Sequence, residues 1–202
     1  MEMENIRAVK CYQKAGFKNC GEIVDEEGDK CLMMKVIFEE EYWDLYDENR
    51  NLLGRTIKRG DVFGEGEYHV ACEMWVRGTD EKFLVTKRHP NKKAGGLWEF
   101  TGGGVLAGES SKQAAVRELK EEIGVVVKES DLKLLETYQH KNYFMDIFVV
   151  EKDVKLEDLV LQPEEVVDAK WVSAEELSEM IEAGEVVYSV GLRYKQYKEL
   201  LS

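Results

Sequence analysis

Cysteine is scarce and unpatterned in this chain. The 4 residues, Cys11, Cys20, Cys31 and Cys72, include no CxxC pair, and three precede residue 40. Such spacing suits reduced thiols and not a disulfide frame. No uninterrupted apolar run reaches the length of a membrane span, so a membrane partner is not expected. The opening Met-Glu-Met-Glu has neither a basic stretch nor an apolar core, so no signal peptide is expected either. Basic charge is deficient: 28 Lys and Arg face 41 Asp and Glu, a formal net charge of −13. With no basic stripe to offset its phosphates, a long nucleic acid is excluded as the main partner. A small phosphorylated substrate stays open, because it can meet a bound metal instead of the global field. Only 2 prolines occur, and there is no internal repeat or low-complexity segment. These absences lead us to expect a cytoplasmic protein, its 202 residues enough for one good-sized domain and an appendage.

What the chain does have is concentrated in residues 103–125, GGVLAGESSKQAAVRELKEEIGV. Positions three and four apart share a helix face, so Glu118, Glu121 and Glu122 point the same way from neighbouring turns. Like charges so placed repel unless something cationic lies between them. A hard divalent cation with oxygen ligands is the natural occupant, and Mg²⁺ held by carboxylates is usually shared with substrate phosphates. Charge runs alone are commonly solvated faces, as in the run Glu175-Glu176-Leu177-Ser178-Glu179. The flanks distinguish this one. Gly102, Gly103 and Gly104 precede the helix, Ser110 with Gln113 can form a capping box, and Gly124 stands where a helix terminates. Val116, Leu119 and Ile123 supply an apolar stripe that can pack inward while the carboxylates face a cleft.

The segment resembles the Nudix box: Gly, five residues, Glu, seven residues, Arg-Glu, an aliphatic, any residue, Glu-Glu, any residue, Gly, an aliphatic. Every specified position is met, from Gly103 through Glu109 and Arg117 to Val125. At usages near ~6% per residue type, seven fixed letters arise by chance in about one chain of this length in a million. The resemblance implies that Glu118, Glu121 and Glu122, with the carbonyl of Gly104, ligate Mg²⁺ or Mn²⁺. The metal would bridge phosphate oxygens and lower the pKa of a water that attacks phosphorus, breaking a P–O–P bond. Arg117 would hold the rotamer of Glu118, and Glu109 would fix the loop against the helix. A carboxylate outside the box often completes such sites. Glu164 and Glu165 are the candidates, with Glu165 counted among the catalytic residues. Lys87, Arg88, Lys92 and Lys93 could meet a phosphate tail or form a solvated turn. Trp98, Phe100, Tyr138 and Tyr143 could stack on a base or fill a core. His69 and His140 fit satisfied sheet histidines better than ligands.

Along the chain, residues 5–15 read as a short helix ended by Gly16, and 31–38 as a buried strand. The acidic Glu39-Glu40-Glu41 reads as a linker. Strands are expected at 42–46, 68–76, 82–86, 132–140, 143–150 and 169–172, with turns at 47–51, 59–66 and 89–96. In the strand at 68–76, Val70, Cys72, Met74 and Val76 share a face. Helices are expected for the box and for 173–183 and 192–201. The elements interleave without a βαβ repeat. The expected class is α/β (α+β): a Nudix-type mixed sheet sandwiched between helices over residues 40–202, with a helix-strand appendage at 1–39.

Residues 4–38 resemble the C-terminal tail of the acyl-CoA N-acetyltransferases, matching at Asn5, Ala8, Tyr12, Gly16 and Phe17. The pyrophosphate-cradling loop of that fold is not among these residues, so no role is carried to Tyr12. Apolar Met33, Met34 and Ile37 would need cover, for which a second subunit, making a homodimer, is one solution. From Trp43 to Trp98 the chain is similar to the isopentenyl-diphosphate isomerase-like branch of the Nudix family. True isomerases carry Cys-Gly-His where this chain has Gly102-Gly103-Gly104, and only His69 matches another of their metal-binding histidines. The expected activity is therefore hydrolysis of a nucleoside diphosphate linked to another group X. Isomerisation of isopentenyl diphosphate and a non-catalytic nucleotide sensor are the alternatives.

Overall fold

The computed structural model describes residues 6–14, 17–35 and 40–201. The chain divides into two compact units, residues 1–40 and 41–202.

In the first unit, helix α1 (Ile6–Lys14) is followed by an antiparallel hairpin of β1 (Lys18–Val24) and β2 (Lys30–Lys35). The hairpin turn is built on Asp25, whose side chain accepts from the amides of Glu27 (3.1 Å) and Asp29 (2.9 Å). A glycine at position 28 supplies the positive φ of 89° that the turn requires. Tyr12 and Phe17 meet edge to face at 5.2 Å. The appendage is thus a helix and a strand pair; β1 lacks the apolar alternation that would have announced it. Of the side chains expected to need cover, Met33 is exposed, Met34 is half-buried, and Ile37 lies outside the described residues, as do Asn5, Gly16 and Phe38.

The second unit opens with a hairpin, β3 (Tyr42–Tyr46) and β4 (Leu52–Lys58). Next come β5 (His69–Arg77), β6 (Phe83–Arg88), and two short strands, β7 (Trp98–Glu99) and β8 (Thr101–Gly104). The box helix α2 (Ser111–Ile123) leads to β9 (Leu132–His140), β10 (Tyr143–Glu151) and β11 (Val166–Val172). Helices α3 (Ala174–Glu182) and α4 (Tyr188–Tyr197) follow. The seven-stranded sheet runs β11-β6-β5-β10-β9, with β7 beside β6 and β8 beside β5. It is mixed, because β5 and β10 are parallel and the other pairings antiparallel.

Strand periodicity explains the two cores. Val70, Cys72, Met74 and Val76 pack with Ala114, Ala115, Leu119 and Ile123 of α2. From the opposite face Trp75 packs with Phe83, Phe100, Leu177, Val190 and Tyr194, so α3 and α4 cover that side. Alternate side chains of one strand fill alternate layers, and the sheet lies between helices as expected. Among the described residues no helix is long and apolar enough to cross a membrane.

Several elements differ from the sequence reading. Strand β4 was not anticipated, because only Ile57 of its seven residues is buried and no clear apolar face shows. Strand β8 is glycine-rich, which disfavours strands intrinsically, and is held by pairing Ala71 to Gly104, Cys72 to Gly103 and Glu73 to Gly102. Strand β11 starts at Val166, ahead of the expected Ala169. Helix α4 starts at Tyr188, four residues before the expected Leu192, and its N-cap Val187 makes no side-chain cap bond that could have marked it. Gly191 within α4 allows close approach to α3: a Cβ there would stand 2.9 Å from Ile181 Cγ2.

Candidate active site

Helix α2 starts as its sequence specifies. Ser110 Oγ accepts from the Gln113 amide at 3.2 Å, and Gln113 Oε1 accepts from the Ser110 amide at 2.9 Å, closing a capping box. At the other end Gly124 takes the left-handed conformation (φ 74°, ψ 8°). These ends set which side chains share a face. Leu119 and Ile123 are wholly buried, Val116 packs partly against the same core, and the carboxylates of Glu118, Glu121 and Glu122 line a cleft on the other side.

Arg117 is the hub of the loop and helix. Its Nε and Nη2 donate to the two oxygens of Glu109 at 2.9 and 3.0 Å. Nη1 reaches Glu118 Oε1 at 2.8 Å and Glu121 Oε2 at 3.2 Å, and Nη2 also reaches the Gly104 carbonyl at 3.1 Å. Glu109 in turn accepts from the Leu106 amide at 3.1 Å. The pairing of Arg117 with Glu118 was expected from the box; its grip on Glu121 and on the carbonyl was not.

The three glycines before the loop are accounted for by close approach. A Cβ at Gly103 would stand 2.1 Å from Glu118 Oε1. At Gly102 it would meet the Cys72 carbonyl oxygen at 2.5 Å, and at Gly104 the Trp43 Nε1 at 2.6 Å.

Residues distant in sequence complete the cleft, which encloses about 120 Å³. The segment before β11 folds under the end of α2, with the Val160 amide donating to the Ile123 carbonyl (3.1 Å) and that of Gln162 to the Glu122 carbonyl (2.9 Å). This brings Glu165 to the cleft, where it is ion-paired with Lys92. Its neighbour Glu164 is exposed and does not line the cleft. Glu41 and Arg59, paired at 2.7 Å, also line it. Glu41 is therefore a cleft residue, a correction to its reading as part of a linker. No local signal marks Glu41 or Arg59, because only the β3–β4 pairing sets them side by side.

The basic and aromatic candidates divide. Lys92 lines the cleft; Arg88 is paired with Glu99; Lys87 lies 5.5 Å over the Trp98 ring. Lys93 is exposed, and its carbonyl accepts from Arg88 Nε at 2.9 Å. Trp98 and Phe100 are core residues, 8% and 2% exposed, while Tyr138 and Tyr143 are half-buried. His69 is not a satisfied sheet histidine. Its ring stacks on Trp43 at 4.2 Å, and its Nδ1 and Trp43 Nε1 are both buried without a hydrogen-bond partner. Burial pushes His69 down to about 4, so it is neutral at ordinary pH. His140 is exposed and lies against Tyr138, 3.4 Å from its hydroxyl.

The electrostatics follow from the crowding. Burial, with Glu118 and Glu99 nearby, pushes the Glu122 carboxyl up to about 8, against the pull of Lys92 and Arg88. Glu118 is also raised, by burial first, with Arg117 opposing and Glu121 and Glu41 reinforcing. Burial and the neighbouring Arg88 hold the Lys92 ammonium below its usual range. Among the described residues, no three acidic, histidine or cysteine groups already stand in coordinating geometry. Glu118, Glu121 and Glu165 are turned onto Arg117 and Lys92 instead. The groups facing the cleft that could ligate a metal are nonetheless all oxygens, with the Glu122 carboxyl held largely neutral by burial first and by the neighbouring Glu118 and Glu99. That chemistry fits a hard divalent cation, whose charge would let Glu122 ionise.

Comparison with known proteins shows the family and agrees with the fold. The NUDIX domain family profile matches residues 67–189. An uncharacterised Nudix hydrolase of Listeria monocytogenes is 38% identical over 149 residues, covering 73% of this chain and 88% of that protein. The crystal structure of DR0079 from Deinococcus radiodurans superposes with a TM-score of 0.66 at 21% identity, covering 78% of this chain and 99% of that one. A bifunctional NMN adenylyltransferase/ADP ribose pyrophosphatase from Francisella tularensis, complexed with AMP and a Mn ion, has a TM-score of 0.53 at 16% identity, covering 66% and 42%. With the family profile spanning more than half of its length and its relatives named as hydrolases, the chain belongs to the Nudix hydrolase family.

Proposed function

We propose that this protein hydrolyses a P–O–P bond in a nucleoside diphosphate linked to another group X, using Mg²⁺ or Mn²⁺. The observation that carries the reading is the convergence of Glu118, Glu121, Glu122 and Glu165 on one small cleft beside Lys92 and Arg59. Glu118, Glu121 and Glu122, with the Gly104 carbonyl, would hold the cation. When bound, a divalent cation neutralises phosphate charge and acidifies a water for attack on phosphorus. Arg117 orients Glu118 and Glu121 through hydrogen bonds from one guanidinium. Lys92 and Arg59 face the phosphates and offset their charge. Glu165, held by Lys92 and by the hydrogen bond from the His89 amide to its carbonyl (2.8 Å), would take the proton of the attacking water.

Similarity from Trp43 to Trp98 supports membership of the isomerase-like branch, yet the isomerase chemistry itself is disfavoured. Gly102 and Gly104 have no room for the cysteine and histidine of true isomerases, since a Cβ there would collide with the Cys72 carbonyl and the Trp43 ring. In the appendage, the order of a helix followed by a hairpin supports likening residues 4–38 to an acetyltransferase tail. No activity is assigned to it.

The test is Glu122→Gln, assayed for phosphate release with Mg²⁺ across nucleoside diphosphates, triphosphates, nucleotide sugars and dinucleotides. Turnover should fall by about 10²-fold or more with the fold retained. Wild-type-like turnover in the variant would refute the assigned cation site, and tight nucleotide binding without turnover in the parent would favour the sensor.

A further inference from the structure

The loop that joins β8 to α2, residues 105–109, reads Val-Leu-Ala-Gly-Glu. The groups assigned to the cation depend on it. Gly104 stands immediately before it. Glu109, at its end, accepts from the Leu106 amide and from Nε and Nη2 of Arg117. That same guanidinium reaches Glu118, Glu121 and the Gly104 carbonyl. Yet the middle of the loop has little of its own to hold it. Val105 is buried, and its amide donates to the Val70 carbonyl at 3.0 Å. Ala107 and Gly108 are exposed and carry no side chain that could anchor them. Gly108 takes a φ of 83°, and glycine is the residue with the most backbone freedom to lose there.

Strand β3 holds this stretch from outside. The Tyr42 carbonyl accepts from the Ala107 amide at 2.8 Å. Asp44 Oδ2 accepts from the Gly108 amide at 2.7 Å, across 64 positions of sequence. Between those two residues, Trp43 lies so close to Gly104 that a Cβ there would stand 2.6 Å from its Nε1. The Tyr42 contact is main chain only, and the Trp43 contact is packing. The Asp44 contact alone is made by a carboxylate on a backbone N–H, a charge-assisted bond roughly twice as strong as a neutral one. Aspartate is depleted in strands, so propensity does not account for it in the middle of β3.

We infer that Asp44 is a positioning residue for the cation site. By holding the Gly108 amide it fixes the loop that bears Glu109. Through Glu109 and Arg117 it sets the carboxylates of Glu118 and Glu121 and the carbonyl of Gly104. The inference rests on the cation-site reading above. With Asp44 removed, the loop keeps its two ends, Val105 on β5 and Ser110 capping α2. Glu109 is then free to shift between them, and Arg117 shifts with it. Asp44 itself touches neither cation nor substrate. Its effect is on how well the ligands are arranged, and outer partners of this kind set metal affinity.

The experiment is a Mn²⁺ titration of the full chain, with the free ion followed by electron paramagnetic resonance well below the melting temperature. Asp44→Ala should weaken Mn²⁺ binding about tenfold or more, the usual effect of losing a partner behind a metal ligand. Asp44→Val, similar to aspartate in size and better suited to a strand, should show the same loss, and it keeps the test decisive if the alanine variant folds poorly. Asp44→Asn retains an acceptor oxygen at the same reach and should bind within about threefold of the parent. Circular dichroism on the same samples establishes that each variant is folded. A merely structural role would lower the melting temperature and leave the affinity of the folded protein where it was. Parent-like affinity in a folded Ala or Val variant overturns the assignment. So does a loss in Asp44→Asn as large as in Asp44→Val, which would trace the effect to charge and not to the bond. The two readings fail separately: a parent that binds no Mn²⁺ removes the cation site and its brace together, whereas a parent and variants that bind equally remove the brace alone.

Discussion

At the scale of single residues, Glu122 carries the strongest consequence. Its carboxyl titrates near 8 in the folded chain because it is buried beside Glu118 and Glu99, against about 4.3 when unfolded. Below the unfolded value both states are protonated and nothing is lost. As pH rises from there through about 8, the unfolded chain releases the proton first, so folding stability declines. The metal-free protein should lose a few kcal/mol across that window, about 1.4 kcal/mol per unit at most from this group. Chemical denaturation at a series of pH values measures it. Glu122→Gln should flatten that part of the profile, and a slope equal to the parent's would show that Glu122 is not its source. Added Mg²⁺ should raise the melting temperature more at pH 8 than at pH 6, because protons compete for the same oxygens.

At the scale of elements, the β3–β4 hairpin is the part that brings Glu41 and Arg59 to the cleft. It is tied to the sheet by paired backbone bonds between Tyr46 and Tyr68, 2.8 and 2.9 Å. Its turn is tied by Arg50, which forks onto Asp146 at 2.7 and 2.5 Å. Asp146 is 2% exposed and also accepts from Thr137 Oγ1 at 2.8 Å. Arg50→Ala would leave that carboxylate buried with its charge unmet. Losing a partner in a wholly buried pair costs about 3–5 kcal/mol, and the one-third exposure of Arg50 lowers this to roughly 2–3 kcal/mol. A urea midpoint unchanged in the variant would rule out the clamp. Hydrolysis should fall with it, since the hairpin loses its hold on the sheet. None of this was legible beforehand. The turn at 47–51 could be read from Asp47, Asn49 and Asn51, but the partner of Arg50 lies on β10, 96 positions away.

At the scale of the whole molecule, the chain's division after residue 40 leaves all the cleft residues in the second unit. We propose residues 40–202 as an autonomous Nudix domain. Expressed alone, they should unfold cooperatively and keep Mg²⁺-dependent turnover within about twofold of the full chain. Loss of turnover in a folded fragment would instead assign the first 39 residues a part in the site. The net charge of −13 makes local cations decisive. Arg59, Lys92 and Arg117 at the cleft stand against a field that repels an anionic substrate.

The sequence by itself determined the box helix: its capping box, its glycine terminator, and the sharing of one face by Glu118, Glu121 and Glu122. All of these are fixed by bonds and periodicity within one turn of a helix. It also determined the alternation of β5 that divides the two cores, because strand geometry repeats every second residue. Only the tertiary structure decided that Glu165 and not Glu164 enters the cleft, and that Glu41 and Arg59 join it. It also decided that Arg117 binds three carboxylates at once, and that Glu73 and Arg193 meet 120 positions apart. Those contacts depend on loop closure and sheet pairing between distant segments, whose energies are spread over the whole core and leave no local pattern to read.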